Sequence, residues 1–176
     1  LDPKCAKDRS ACPWDKNAER EQGKIALDLT YLLLLFKISQ HPAGPDAAHL
    51  IMEDDAVLAI EPGDGNAVGF FKRFESSILT QLPSDWDLFM LCSTGYEGGA
   101  YLTPTMRVLR SGVGTVAFVV RGRFAQELVD RHLSVCLPHM YIDLCMCGML
   151  VETGRAHGYI ADPFLARHAG FHSEIG

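Results

Sequence analysis

Three short stretches of this chain are almost continuously apolar: His49 to Met52, Trp86 to Leu91 and Val116 to Val120. Runs of this length, bounded by turn residues, read as strands covered on both faces. Elsewhere the apolar residues recur every three or four positions. From Glu21 to Ser39, residues Ile25, Leu29, Leu32, Leu33 and Phe36 share one face, and Gly44 and Pro45 follow. That spacing predicts a buried helix. Phe70, Phe71, Phe74, Ile78 and Leu82 predict a second helix over Ala67 to Leu82. Phe124, Leu128 and Val129 predict a third over Arg123 to Leu133, and Tyr141 to Val151 reads as helical. Tyr159 to Ala161 forms a last short strand before Asp162-Pro163, and Ser93 to Pro104, with three glycines, reads as a loop. Strands alternating with helices predict an α/β domain over residues 21–176, with a mostly parallel central sheet flanked by helices. Residues 1–20 are polar and turn-rich and read as an extended lead-in.

Composition narrows the function. With 176 residues, 48% of them hydrophobic, the chain can bury one ordinary core. Its net charge is −6 and its basic residues are scattered, which argues against nucleic acid as a partner. The longest apolar run, Ile25 to Ile38, is interrupted by Asp28, Thr30 and Lys37, so no membrane span is expected within the chain. Cys5 and Cys12 could close a small loop in an oxidising compartment. Cys92 reads as a buried thiol. Cys136, His139, Cys145 and Cys147 have the residue types of a zinc site, but their spacing matches no common finger.

The chemistry concentrates after the first predicted strand, where Glu53, Asp54 and Asp55 follow Met52. Open α/β sheets bind ligands at the carboxyl ends of their strands. Three adjacent carboxylates repel one another unless a positive charge sits among them. A divalent cation carrying a diphosphate suits them, because hard cations take carboxylate and phosphate oxygens together. A solvated acidic turn is the alternative.

Several segments, in order, resemble glycosyltransferase family 25, the group of lipooligosaccharide and collagen galactosyltransferases. They are Glu21-Gln22-Gly23-Lys24-Ile25, Leu50-Ile51-Met52-Glu53-Asp54-Asp55-Ala56-Val57, Trp86 to Leu91, Gly114 to Val120, and Tyr141-Ile142-Asp143. The C-terminal Arg167-His168-Ala169-Gly170-Phe171-His172-Ser173 is instead similar to the His-x-Gly-x-x-Ser ending of some N-acetylglucosaminyltransferases. The opening strand of the family's nucleotide-binding half has no counterpart here, so it lies upstream of Leu1 or donor binding is built differently.

The resemblance implies a GT-A-like single domain that transfers a sugar from a nucleotide-diphosphate donor, a UDP-sugar, with Mn²⁺ or Mg²⁺ as cofactor. The acceptor is then a carbohydrate, a lipid or a hydroxylated protein. Asp55 is the expected direct metal ligand, Glu53 a water-mediated ligand or ribose contact, and Asp54 a further donor-site residue. Asp143 is the expected base of an inverting transfer, with a helix-starting aspartate as the alternative. His168 is the candidate third metal ligand and His172 a candidate diphosphate contact; both could equally be ordinary surface or core histidines. Gly114 and Thr115 would let the backbone approach a substrate, although a tight turn into the strand explains Gly114 as well. Two other classes remain: a non-catalytic relative acting as a cation- or glycan-binding module, and a metal-dependent phosphoryl-transfer or hydrolytic enzyme.

Overall fold

The computed structural model describes residues 18–136, 141–151 and 153–169. It is a mixed α/β structure built on a six-stranded sheet, with a separate two-stranded sheet beside it. The helices are α1 (Ala18–Ser39), α2 (Ala67–Arg73) and α3 (Gly122–Arg131). The strands are β1 (Ala48–Met52), β2 (Ala56–Leu58), β3 (Leu88–Met90), β4 (Gly95–Thr103), β5 (Met106–Val113), β6 (Ala117–Arg121), β7 (Gly158–Ala161) and β8 (Ala166–His168). Asn66 caps α2 by accepting the Gly69 N–H. That helix then continues through the wide turn Phe74–Ile78 and the tight turn Leu79–Gln81. The Leu144–Val151 helix is also wound wide.

The strand order is β1-β6-β3-β7-β5-β4, and only β3 and β7 pair in parallel. The expectation of a mostly parallel sheet is therefore corrected: the sheet is mostly antiparallel. Apolar residues on both faces of a strand report that both faces are covered, and they carry no information about direction. Ser93 to Pro104 is corrected too. Its greater part is β4, joined to β5 by a tight turn after Thr103, the short connection that antiparallel strands allow. β1, β3 and β7 nevertheless share one direction, because β6 runs against both of its neighbours. Their carboxyl ends lie along one edge, where Met52 pairs with Ala117 and Met90 with Phe118.

Each face of the sheet carries its own core. On one, Ile51, Leu88, Met90, Phe118, Val120 and Ile160 pack against α1, α3 and the Leu144–Val151 helix. On the other, Phe89, Leu91, Val119 and Tyr159 pack against Phe70, Phe74, Ile78 and Leu82. The single-residue alternation between the two sets is the two-residue period of a strand.

Helix α1 departs from its sequence reading. Asp28, Tyr31, Leu32, Leu35 and Ile38 face the core. Ile25, Leu29, Leu33 and Phe36 are instead exposed, Leu33 by 64%. Of the stripe expected to be buried, only Leu32 is. A helix that is apolar nearly all round gives periodicity no purchase, so contact with the sheet chooses the face.

Candidate functional site

The carboxyl edge of β1, β3 and β7 gathers most of the residues to which the sequence assigns chemistry. Glu53, Asp54 and Asp55 leave β1 there, and the Glu53 N–H donates to the Val116 carbonyl at 2.9 Å. β2 then pairs with β8 so that Ala56 faces His168. Asp55 and His168 meet as a consequence: His168 Nε2 stands 2.7 Å from Asp55 Oδ2. The Ala169 N–H donates to the Asp55 carbonyl at 2.9 Å and fixes the same register. The other carboxylate oxygen, Asp55 Oδ1, is buried and has no hydrogen-bond partner. A buried carboxylate oxygen without a donor is costly, and a cation is one group that relieves the cost.

Glu53 is occupied differently. Its Oε1 accepts from the Thr115 hydroxyl at 2.6 Å and from the Tyr31 hydroxyl at 3.1 Å. Tyr31 also approaches the Thr115 carbonyl at 3.0 Å, so its single proton is shared between two acceptors. Burial, opposed by the Thr115 contact and reinforced by the Glu53 charge, holds the Tyr31 hydroxyl well above its ordinary value, so it stays a neutral donor. Asp54 is exposed.

Asp143 lies on the far side of the same corner. Its Oδ2 accepts from the Gly114 N–H at 3.0 Å and its Oδ1 from the Leu144 N–H at 2.8 Å. Gly114 has φ +94°, and a Cβ there would fall 2.7 Å from Thr94 Oγ1. Glycine is required on both counts. The Thr115 side chain is buried with its hydroxyl on Glu53. The structure thus gives Gly114 and Thr115 partners within the protein.

Helix α1 closes the arrangement. Asp28 Oδ1 accepts the Ile142 N–H at 3.0 Å, one residue before Asp143, while Tyr31, one turn further along α1, reaches Glu53. Sequence reasoning passed over both residues. The available signal was an ionisable residue and a phenol inside an otherwise apolar run. Such groups in a buried helix are retained where they have partners.

The structure therefore brings Asp55 and His168 together and holds Glu53 and Asp143 through separate hydrogen bonds. His172 and His139 lie outside the described residues. Among the described residues, no group of three or more histidine, cysteine or acidic side chains is arranged to hold a metal ion. Asp55 and His168 are two donors of the right kind, an oxygen and an imidazole, and Asp55 Oδ1 is buried without a partner; they fit a partial shell. Cys145 is engaged in a disulfide. Burial pushes the thiols of Cys92 and Cys147 up to about 11 and about 12, so both are inert at neutral pH. Among the described residues, no helix is long and apolar enough to cross a membrane. No protein-family model matches the sequence, and no curated protein matches it significantly.

Proposed function

We propose that this chain is a GT-A-like glycosyltransferase domain that moves a sugar from a nucleotide-diphosphate donor, a UDP-sugar, to a hydroxyl of a glycan, lipid or glycoprotein. The observation that carries the reading is the Asp55–His168 pair at the carboxyl edge, with Asp55 Oδ1 buried and unpartnered. A Mn²⁺ or Mg²⁺ ion held by these two residues would supply positive charge against the diphosphate as the anomeric C–O bond breaks. Diphosphate oxygens and water would complete a shell that the protein only begins.

The remaining residues divide the work. Glu53, held by Thr115 and Tyr31, keeps a fixed carboxylate beside the donor site. Asp143 is held by two backbone N–H groups, which orient it without consuming its capacity to accept a proton. In an inverting transfer the acceptor hydroxyl attacks C1 from the face opposite the leaving group. Its proton passes to Asp143, and the C1–O bonding electrons leave with the diphosphate. The disulfide at Cys145 supports an oxidising compartment such as the secretory lumen.

A second reading, a non-catalytic module that binds a cation or glycan, is favoured by the two backbone donors already on Asp143. Titration with UDP, in Mn²⁺ and then in excess chelator, tests the main reading. Metal-dependent binding together with release of UDP from a UDP-sugar supports it. Binding of Mn²⁺ with no nucleotide affinity favours the module, and release of inorganic phosphate points to a hydrolase.

A further inference from the structure

The hairpin of β4 and β5 carries aromatic rings that charged neighbours hold in solvent. Tyr101 is 58% exposed, yet its ring is fixed at two points. Its hydroxyl donates to Asp162 Oδ2 at 2.8 Å, and the Arg107 guanidinium lies over one ring face, 4.6 Å from the centroid. Arg107 is itself anchored: Nε donates to the Gly99 carbonyl at 3.2 Å, and Nη1 stands 3.6 Å from Asp162 Oδ2. Strand pairing is irregular on both sides of Tyr101, toward Gly98 and toward Thr103. Such irregularities re-aim a side chain, and they gather beside functional sites. A second pair of rings, Tyr96 and Phe164, meets at 5.5 Å between centroids. The second ring face of Tyr101 stays open. Asp162 Oδ1 and Arg107 Nη2 make no hydrogen bond or ion pair among the described residues, and their side chains are part-exposed.

We infer that Tyr101, Arg107 and Asp162 form the acceptor subsite, and that the acceptor is a glycan whose pyranose ring stacks on Tyr101. The place of this subsite in a reaction rests on the glycosyltransferase reading; the binding of a sugar does not. The C–H groups on one face of a pyranose carry partial positive charge and suit the negative face of an aromatic ring. Hydroxyls at the rim of the sugar can donate to Asp162 Oδ1 and accept from Arg107 Nη2, the few placed polar groups that orient a ligand. Arg107 and Asp162 offset each other's charge, so an uncharged, polyhydroxylated ligand matches them. An acyl chain would desolvate both groups without giving them a partner. The location agrees. The Asp162 N–H donates to the Thr105 carbonyl at 3.0 Å and ties the hairpin tip to the carboxyl end of β7. The Leu165 N–H donates to the Leu91 carbonyl at 2.8 Å, just beyond β3. Fully extended, the chain from Asp162 to His168 spans at most about 22 Å, so a glycan of a few units held at Tyr101 reaches the Asp55–His168 pair.

A printed array of neutral glycans, probed with the labelled 176-residue protein, tests the inference, followed by calorimetric titration with the soluble form of the strongest binder. Tyr101→Ala should raise that dissociation constant at least about tenfold, roughly the effect of one lost aromatic anchor. Tyr101→Phe keeps the ring and should retain most of the affinity. Tyr101 is solvent-exposed, so both variants should keep the far-UV circular dichroism of the parent. UDP titration in Mn²⁺ should be the same for all three proteins, because the donor is held elsewhere. An array that stays blank overturns the inference, and UDP binding that persists in that case leaves the transferase reading standing. A bound glycan that Tyr101→Ala does not weaken overturns it as well, and so does Tyr101→Phe losing as much affinity as Tyr101→Ala. Glycan binding that depends on Tyr101, without metal-dependent UDP binding, upholds the subsite and removes the transferase reading.

Discussion

Asp55 and His168 lie far apart in sequence, and a single strand register brings them to 2.7 Å. Ala56 pairs with His168, Val57 with Arg167 and Leu58 with Ala166. Slipping that pairing by one residue would turn His168 to the other face of β8. The site therefore depends on three residue pairs at the rim of the molecule rather than on the large sheet.

The first prediction follows from that dependence. Asp55→Asn should abolish Mn²⁺-dependent UDP binding while leaving the protein folded. The reason is that the amide oxygen can still accept from His168 Nε2, so the β2–β8 register survives while the charge that would hold the cation is gone. His168→Ala should weaken Mn²⁺ binding in parallel. A variant that unfolds, yet binds metal and nucleotide normally once refolded, would make the acidic turn structural.

Asp143 yields the second. Asp143→Asn should lower turnover by roughly 10²–10⁴-fold, the range for loss of a general base, with donor affinity almost unchanged. The amide oxygen can still accept one of the N–H bonds from Gly114 and Leu144, so the fold should persist. Asp28→Asn separates base from support. It keeps an acceptor for the Ile142 N–H and should change turnover far less. Equal losses in both variants would mean that Asp143 acts through the scaffold.

How much of this was legible in the chain depends on the element. β1, β3, β6 and β7 stood out because strands covered on both faces are apolar throughout. β2 and β8 are three residues long and carry Arg167 and His168, too short and too polar for any period to show. They make the Asp55–His168 contact, so the acidic turn and the histidine were visible separately but their meeting was not. Strand direction was illegible because β6 inserts between two strands that precede it in the chain. On α1 the apolar pattern pointed to the wrong face, and the polar Asp28 and Tyr31 marked the right one. Gly114 was visible as a glycine before a strand, but its close approach to Thr94 could not be read from spacing.

Gly114 carries the third prediction. Gly114→Ala would place a Cβ against Thr94 Oγ1 in a backbone conformation that side chains rarely adopt. A cost of about 1–3 kcal/mol is expected. Because the Gly114 N–H holds Asp143, turnover should fall as well, even where the variant is folded. The double variant Gly114→Ala/Thr94→Ala should recover part of the lost stability, since it removes the clash but not the backbone strain. Urea denaturation reads this directly, and an unchanged midpoint in the single variant contradicts the assigned geometry.

The last prediction concerns pH and a residue remote from any proposed chemistry. His132 is fully buried at the end of α3, and neither ring nitrogen has a hydrogen-bond partner. Burial holds its pKa below the ordinary histidine value, and the Asp28 carboxylate draws it only partly back. The native imidazole thus resists a proton that the unfolded chain accepts below about 6.5. Where the unfolded state binds more protons, stability rises with pH. Stability should therefore be full above that value and fall as pH drops through it. Asp28 acts in the opposite sense. Burial raises its pKa, so the native carboxyl takes a proton more readily than the unfolded one, in a window that begins near 3.8 and extends upward. Between pH 8 and pH 5.5 His132 and the part-buried His49 both take up protons more readily in the unfolded chain, and the urea midpoint of the parent should decline. His132→Leu fills similar space without the unpartnered nitrogens, so it should be at least as stable at pH 8 and lose its share of the decline, the remainder belonging to His49, whose pKa burial also lowers. A variant that keeps the parent's full pH dependence would assign the effect to other groups and leave His132 a neutral core residue.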